Sequence, residues 1–506
     1  MSPRLILAGL LVLSACGHED PQARFAEAQR AFAAEDPAQA RRAVLAALDG
    51  APGNRDMLLL LVRSDLALGD GEGASAALAR LADAGLTAKD MPAKDLRELR
   101  AEAALLRGQA RQMADLLADD HGAAAWRLRA EAALADNDST AALAAFRQGM
   151  AAGDDGRLAA DYARFLIEAD DIDGADRALA ALRRTGPDRL DTAMIAGSIA
   201  QHRGQLDAAE AAYSGAAQRF RARSEPLVAL ADLADLRGAP DKTAHYAEQA
   251  AALAPGDPAV RSLTVRVAAE AGDWRKVRDL LAPHEATLDL HGFDGMAYGE
   301  ALLNLDHAEA ARAIFQKALL LSPQNPYARL MLAQCDLALG DGLGALQAIR
   351  PLADSVLAGG RELDVAIRAA GLAHDPALAA YQARAKSPDL ARRTAAAGQA
   401  LAAMGRRDWA GTIAAYRTIP GYDRDAEVLK RLAQAASNLG QGDLAQGYAD
   451  RALALDPRNP DMLHIAGVVR LNAGRDRGAA QSLLRQALER DPANRLFRAD
   501  YARARA

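Results

Sequence analysis

The stretch "GEALLNLDHAEAARAIFQKALLLSP", from Gly299 to Pro323, decides the fold of this 506-residue chain. Two apolar segments of helical spacing flank the turn-forming residues "LDH", and a proline follows the second segment. Proline lacks a backbone N–H and clashes with the preceding helical turn, so it is typical of the position just past a helix end. The stretch therefore predicts two helices joined by a tight turn and followed by a stop.

This pattern recurs every 34 residues in a frame that starts at positions 156, 190, 224, 258, 292 and 326. The eighth position of the frame is small or β-branched: Ala163, Gly197, Ala231, Val265, Gly299 and Ala333. The fifteenth is glycine or aspartate: Asp170, Gly204, Gly238, Gly272, Asp306 and Gly340. The twentieth is again mostly small: Ala175, Ala209, Thr243, Val277, Ala311 and Ala345. A fixed period of this length indicates a repeat architecture built from one supersecondary unit.

Composition supports helices throughout the chain. Hydrophobic residues make up 51% of the sequence, but aromatic residues only 4%. Alanine and leucine, which supply most of the apolar residues, are strong helix formers, and no stretch combines period-two alternation with β-branched residues. Proteins that bind nucleic acid usually carry a basic face, and the formal charge of −6 gives no electrostatic reason to expect such binding here.

The units resemble the tetratricopeptide repeat (TPR) family. The family's pattern has small residues at positions eight and twenty, an aromatic at twenty-four, a small residue at twenty-seven and proline at thirty-two. It is complete in Gly299, Ala311, Phe315, Ala318 and Pro323, and Gly197, Ala209 and Tyr213 match part of it. The resemblance implies that these residues pack the two helices of a repeat against each other. It also implies an all-α, right-handed TPR superhelix, an α-solenoid of about fourteen helix-turn-helix repeats whose first helices line the concave surface.

The repeat pattern predicts the organisation of the chain. The C-terminal units are expected to start near Ala391, where Gly398 and Gly405 would take positions eight and fifteen, then near Ala426 and Pro460. The predicted segments are a lipoprotein signal peptide (1–15), a lipidated tether (16–20), N-terminal TPR-like repeats (21–155), a regular TPR array (156–359), a degenerate repeat (360–390), a C-terminal TPR array (391–492) and a capping helix (493–506).

The N-terminal sequence "LILAGLLVLSACGHED", residues 5–20, predicts export. A charged start, a short apolar run and small residues before a cysteine are typical of a secretory signal. Residues 13–16, Leu-Ser-Ala-Cys, resemble the bacterial lipobox, in which Cys16 is lipidated. This resemblance implies a lipid anchor in the cell envelope, with the outer membrane facing the periplasm as the default location. The alternative is an ordinary signal peptide with a chance cysteine.

Polar residues at inward positions of the first helices form the predicted partner groove. Side-chain amides both donate and accept hydrogen bonds, which suits the main chain of an extended peptide. The predicted groove residues are Asn304, Gln334, Lys430, Gln434, Asn438 and Asn472. The alternative is that these are ordinary solvent-facing polar residues at helix ends.

No catalytic or metal signature emerges from the sequence. It contains no CxxC, P-loop or Gly-x-Ser-x-Gly motif, and the histidines of "HEATLDLH", His284 and His291, are two helical turns apart rather than one. Cys335 is predicted to be a buried packing thiol, and the carboxylates are assigned to solvated helix faces. We therefore expect no enzyme activity, no cofactor and no metal.

Two classes of function remain open. In the first, the protein is a lipid-anchored periplasmic scaffold that joins proteins of an envelope machine, such as exopolysaccharide export, pilus assembly or outer-membrane assembly. In the second, it is a periplasmic chaperone or carrier that binds client peptides in the groove.

Overall fold

The computed structural model describes residues 20–85, 91–290, 292–492 and 494–505. In these ranges the chain forms α-helices and short 3₁₀ segments, without a β-strand. The all-α prediction is therefore confirmed. None of the described helices has both the length and the apolar character needed to cross a membrane. Cys16 and the predicted signal peptide lie outside the described residues.

The chain divides into two compact units, residues 1–261 and 262–506. Helix α15 (Pro258–Glu270) contains the boundary. The helices that precede it in unit 1 are α1 (Pro21–Ala33), α2 (Pro37–Gly50), α3 (Arg55–Ala67), α4 (Gly71–Asp83), α5 (Ala93–Leu106), α6 (Ala110–Leu116), α7 (Ala123–Ala135), α8 (Ser139–Ala152), α9 (Gly156–Glu168), α10 (Ile172–Thr185), α11 (Leu190–His202), α12 (Leu206–Arg219), α13 (Glu225–Leu236) and α14 (Pro240–Leu253).

Unit 2 continues with helices of similar length and two 3₁₀ segments, Ala282–Thr287 and Tyr422–Arg424. Its helices after α15 are α16 (Trp274–Leu281), α17 (Phe293–Asn304), α18 (Ala308–Leu321), α19 (Pro326–Ala338), α20 (Gly342–Ala353), α21 (Gly360–Leu372), α22 (Leu378–Ala385), α23 (Asp389–Gly405), α24 (Trp409–Arg417), α25 (Ala426–Asn438), α26 (Gly442–Leu455), α27 (Pro460–Asn472), α28 (Arg477–Arg490) and α29 (Arg495–Arg505). Taken in chain order, the described helices make fourteen hairpins followed by α29, as the repeat count predicted.

The turn inside each hairpin explains the glycine or aspartate at frame position fifteen. All six residues there have positive φ, from 61° to 77°. Glycine adopts this left-handed conformation without strain, and aspartate tolerates it better than most residues. The next position is often an aspartate whose carboxylate accepts a backbone N–H and so caps the second helix. Such caps are Asp36, Asp70, Asp138, Asp171, Asp273, Asp341 and Asp408.

Small residues at positions eight and twenty let the two helices of a hairpin approach closely. A Cβ on Gly197 would lie 2.3 Å from Cε1 of Tyr213, and a Cβ on Gly299 would lie 2.7 Å from Cζ of Phe315. Both distances are shorter than van der Waals contact, so only glycine fits. Among the remaining residues that the TPR pattern selects, Ala209, Ala311 and Ala318 are fully buried, whereas Pro323 lies in the turn after α18.

The interior is a series of local apolar clusters. One cluster in unit 2 joins residues of α17, α18 and α19 around the buried ring of Phe315, and another joins α24, α25 and α26 around Tyr416. Each hairpin therefore buries its apolar face against its neighbours. In such a solenoid, stability is approximately a sum of hairpin terms and nearest-neighbour terms.

The hairpin formed by α23 and α24 departs from the predicted frame by two residues. The left-handed residue is Arg407, with φ 58°, and not Gly405. Counting back from Arg407 puts the buried Ala400 at position eight, whereas Gly398 is exposed and faces open space. The frame starting near Ala391 was therefore wrong: it followed the glycines, although here a buried alanine packs the hairpin and an arginine makes the turn.

The degenerate repeat is bridged by a contact between distant segments of unit 2. Asp425, the N-cap of α25, accepts the backbone N–H of Val428 at 2.9 Å through Oδ1. Its Oδ2 accepts the Ser355 hydroxyl at 2.7 Å and the Val356 N–H at 2.8 Å. The residues after α20 thus dock on α25 across α21–α24.

Candidate partner-binding surface

The predicted groove residues of α25 and α27 lie on adjacent hairpins of unit 2. Lys430, Gln434 and Asn438 follow one another along α25, and Lys430 Nζ is 3.2 Å from Asp461 Oδ2 on α27. Asn472, at the end of α27, donates to the Ser437 hydroxyl of α25 at 3.3 Å. The structure therefore brings these four residues into one region.

Several of these polar groups already have partners within the chain. Asn438 Nδ2 donates to the Gln434 carbonyl at 2.9 Å, and Asn304 Nδ2 donates to the Glu300 carbonyl at 2.8 Å, each on its own helix. The oxygen of Asn472 accepts from Arg503 of α29 at 3.0 Å. The Gln434 side chain is exposed. Of this group, Gln434 is the residue most open to a partner.

Lys430 serves chiefly to join two helices. Its Nζ lies 2.7 Å from Glu427 Oε2, in addition to its contact with Asp461. Burial lowers the pKa of Lys430, but the charges of Glu427 and Asp461 outweigh it and leave the pKa raised. The ammonium is therefore charged at neutral pH and is compensated inside the protein.

Asn304 and Gln334 lie farther back in unit 2. Asn304 is the last residue of α17, and Gln334 is half-buried in the middle of α19. Near them, the Tyr327 hydroxyl of α19 donates to the Glu300 carboxylate of α17. These two groove predictions thus lie on neighbouring first helices.

Unit 1 carries a network of buried charges that the sequence analysis missed. Glu102 of α5 is only 6% exposed and Arg127 of α7 only 4%. Arg127 donates to Glu102 Oε2 at 2.9 Å and to Glu131 Oε1 at 2.5 Å. Arg157 of α9 donates to both oxygens of Glu102. Four charged side chains from three consecutive first helices are therefore bonded together.

A second group of ion pairs lies on α9 and the next first helix. Arg164 of α9 bonds to Asp161 on its own helix at 2.8 Å and to Asp191 of α11. Asp191 also accepts from Arg189 at 3.0 Å. One group of ion pairs thus links α5 to α7 and α9, and a second group links α9 to α11. We call the set Glu102, Arg127, Glu131, Arg157, Asp161, Arg164 and Asp191 the ion-pair network.

Burial acts differently on the carboxylates of the ion-pair network. Burial raises the pKa of Glu102, but Arg127 and Arg157 outweigh it and hold the pKa below its usual range. Burial also raises the pKa of Glu131 and of Asp161, and there the arginines do not fully compensate it. Glu102 is therefore the best-stabilised anion of the three.

The repeat positions of these charged residues could have predicted from the sequence that they lie together. Asn137 and Gly108 have φ of 58° and 72°, so they occupy position fifteen of their hairpins. Counting back places Arg127 and Glu131 at positions five and nine, and Glu102 at position nine. The TPR resemblance implies that positions five and nine of a first helix point inward, so the correct frame in residues 21–155 would have grouped the charges.

Cys335, the free cysteine among the described residues, lies in surroundings that oppose reactivity. Cys335 is buried on α19, as predicted, and burial with the adjacent Asp336 raises its pKa to about 12. Its thiol is thus protonated at neutral pH and is a poor nucleophile. Within the described ranges no cluster of three or more His, Cys, Asp or Glu side chains is arranged to hold a metal ion. His291, whose spacing from His284 argued against a metal motif, is not among the described residues.

A cleft of about 390 Å³ lies between α4, α5 and α6. Helix α6, which has only seven residues, contributes Gln112 and Leu116 to the lining of the cleft. Arg107 lines the cleft and is bonded to Glu72 at 3.0 Å and to the Ser75 hydroxyl at 3.3 Å. The cleft therefore adjoins a short second helix, and its arginine is held by neighbouring side chains.

Comparison with known proteins gives a match to a family model over a short segment and distant similarities to solved structures. No curated protein matches the sequence. The APC/C hetero-tetramer Cut9–Hcn1 contains a chain that matches with a TM-score of 0.37 and 17% identity, covering 96% of both chains. Pseudomonas aeruginosa PilF matches with a TM-score of 0.31 and 18% identity, covering 44% of this chain and 96% of PilF. Residues 302–355, from the end of α17 to the turn after α20, match the tetratricopeptide repeat family model.

Proposed function

We propose that this protein is a lipid-anchored periplasmic scaffold that binds proteins of an envelope assembly or secretion machine. The observation that carries the proposal is the array of helix hairpins, part of which matches the TPR model. Each hairpin adds another first helix with its own polar side chains, so the array supplies an extended surface rather than a single pocket. Such a surface suits an elongated polypeptide.

The first helices α25 and α27 are the proposed contact surface. Gln434 is exposed there, and its amide can both donate to and accept from a peptide main chain. The pairing of Lys430 with Glu427 and Asp461 fixes α25 against α27, which keeps the neighbouring amides in place. Lys430 is thus assigned to positioning, and Gln434, Asn438 and Asn472 to binding.

The contact surface is tested by replacing Gln434, Asn438 and Asn472 with alanine while retaining Lys430. Alanine suits a helix interior, so the helices should persist. Each lost hydrogen bond is worth ~1 kcal/mol, so we expect the yield of cross-linked partners from envelope extracts to fall by at least about tenfold. The double variant Asn304→Ala/Gln334→Ala changes the other two predicted groove residues, so a loss of yield in the triple variant alone assigns binding to α25 and α27 rather than to α17 and α19. Equal yields from the triple variant and the wild type would refute the assignment.

Anchoring is tested at Cys16. Replacing Cys16 with serine should abolish labelling by a palmitate analogue and release the protein from the membrane fraction, because serine has no thiol to receive the lipid. Cys335→Ala removes the other cysteine and should leave labelling and fractionation unchanged. Continued labelling of the Cys16→Ser protein would rule out lipidation at this residue.

The nature of the captured proteins separates the scaffold from a chaperone or carrier. A scaffold recovers a small, constant set of folded envelope proteins. A chaperone recovers many unrelated clients, and it does so in larger amounts when those clients are unfolded. Cross-linking before and after an envelope stress therefore distinguishes the two, with an unchanged set of partners supporting the scaffold.

A further inference from the structure

The turn between α1 and α2 contacts a part of unit 1 that lies far away in sequence. Glu35, in that turn, accepts the backbone N–H of Leu190 through Oε1 at 3.4 Å. The Glu35 carbonyl accepts from Arg223 Nη1 at 2.9 Å. The partners are 155 and 188 residues away along the chain. In a solenoid each repeat is expected to contact only its neighbours, so the first and sixth hairpins meet here as an exception.

Glu35 supplies a side-chain hydrogen-bond acceptor at the start of α11. The first amides of a helix have no partner within the helix, and a negative charge there is favoured by the helix dipole. The N-cap of α11 is Arg189, whose side chain makes no capping hydrogen bond. The carboxylate of Glu35 takes this role from another hairpin.

A neighbouring carboxylate holds the Arg223 side chain in position for its contact with Glu35. Its guanidinium is held by Glu225, with Nε 3.1 Å from both carboxylate oxygens, while Nη1 reaches the Glu35 carbonyl. The hydrogen bonds to Asp188 and Glu225 raise the pKa of Arg219 and Arg223, respectively, and the charge of Glu35 adds to both shifts. Two arginines therefore attract the same carboxylate.

The two described contacts at this junction are hydrogen bonds. The apolar cluster formed by Leu190, Ala216 and Phe220 contains residues of α11, α12 and the C-cap of α12, and none from α1 or α2. Polar contacts near the surface are weakened by salt, because ions screen them over about 8 to 10 Å at moderate ionic strength. The junction is thus held by interactions that salt can weaken.

We propose that Glu35, with Leu190 and Arg223, is a clasp that closes the first six hairpins of unit 1 on themselves and that opens when salt weakens it. We call this contact the Glu35 clasp. It gives the unit two states, closed and open, without any change inside a hairpin.

Glycine at residue 35 tests the clasp without disturbing its turn. Glu35 has φ 57°, a conformation that glycine adopts more easily than glutamate, so Glu35→Gly removes the carboxylate and keeps the turn. Asp306→Gly makes the equivalent change in unit 2, at φ 63°, and is the matched control. Arg223→Gln removes the other partner and can be combined with Glu35→Gly.

Hydrogen exchange of the full chain reports the clasp. In Glu35→Gly, peptides covering residues 188–193 should exchange about tenfold faster, although the substitution is 155 residues away. The same peptides should be unchanged in Asp306→Gly. Adding Arg223→Gln to Glu35→Gly should have less effect than Arg223→Gln has alone, because the two substitutions remove separate bonds of one junction that opens as a unit. Unchanged exchange in Glu35→Gly, or strictly additive effects, would overturn the clasp.

A distance measurement reports opening directly. Spin labels at Ala34→Cys and Ala222→Cys, in a chain with Cys16→Ser and Cys335→Ala, should give one short distance at low salt. Raising the salt to about 1 M, or adding Glu35→Gly, should produce a second, longer distance. If the distribution of label-to-label distances is the same at high salt and in Glu35→Gly as at low salt, Glu35 does not hold the unit closed.

Discussion

Replacing Glu102 with alanine is expected to lower the free energy of unfolding by ~3–5 kcal/mol, because removing one partner of a buried ion pair leaves the other charge uncompensated. Arg127 is only 4% exposed and would lose its buried partner on α5. Glu131 would remain bonded to Arg127, but its own pKa is raised by burial, so it compensates the charge less well. The loss should therefore be near the upper end of single-residue effects.

Arg157→Ala is the matched control for Glu102→Ala. The side chain of Arg157 is 47% exposed, and Glu102 keeps its bond to Arg127 when Arg157 is removed. We expect a loss of at most ~1 kcal/mol. Urea unfolding gives the change in the free energy of unfolding of each variant. Hydrogen exchange of peptides from α5, α7 and α9 shows whether that change is confined to these helices. Equal, small losses would show that the ion-pair network does not hold these first helices together.

Gly299→Leu is expected to destabilise α17 and α18 by about 3 kcal/mol through overpacking. Even a Cβ at residue 299 would lie 2.7 Å from Phe315 Cζ and 3.2 Å from Ile314 Cγ2. The two helices would have to separate. Because coupling in a solenoid is strongest between neighbours, exchange should rise first in this hairpin and in α19.

Gly398→Leu provides the same chemical change at a site with room for it. Gly398 lies within α23, and a Cβ there would meet open space. A non-glycine residue in a helix interior also reduces the entropy lost on folding. We expect no loss, or a gain of up to ~1 kcal/mol. A similar loss from both substitutions would contradict the close packing assigned to Gly299.

The regular hairpins could be predicted from the sequence because each depends on short-range rules. Position fifteen must be left-handed, which selects Gly204 and Gly340, and position eight must be small where an aromatic ring covers it, which selects Gly299. These requirements repeat at one spacing, so six hairpins reinforce one another. Where the turn residue is Arg407 the rule has no visible signal, and the predicted frame slipped by two residues.

The contacts between distant residues could not be predicted in the same way. No pattern in the sequence distinguishes Glu35, and only the path of the following hairpins brings it to Leu190 and Arg223. Glu102 was assigned with the other carboxylates to a solvated helix face, and Arg127 was not singled out, although charged residues can be buried when they are paired. Their pairing depends on the stacking of α5 on α7, which no local pattern encodes.

The predicted groove raises a similar question about polar residues. Asn304 and Asn438 donate to backbone carbonyls of their own helices, as solvent-facing residues at helix ends often do. Gln434, in contrast, is exposed. An amide bonded to its own helix can exchange that bond for one to a peptide at little net cost. The proposed surface therefore depends on Gln434 and on how partners approach α25.

Site-specific photo-cross-linking tests the scaffold proposal most directly. A photoreactive amino acid is placed at Gln434, on the first helix α25, or at Gly447, an exposed position on the second helix α26 of the same hairpin. After irradiation of intact cells, the Gln434 position should give discrete, reproducible adducts with envelope proteins, and the Gly447 position should give none. Equal adducts from both positions, or none from Gln434, would contradict partner binding through the first helices.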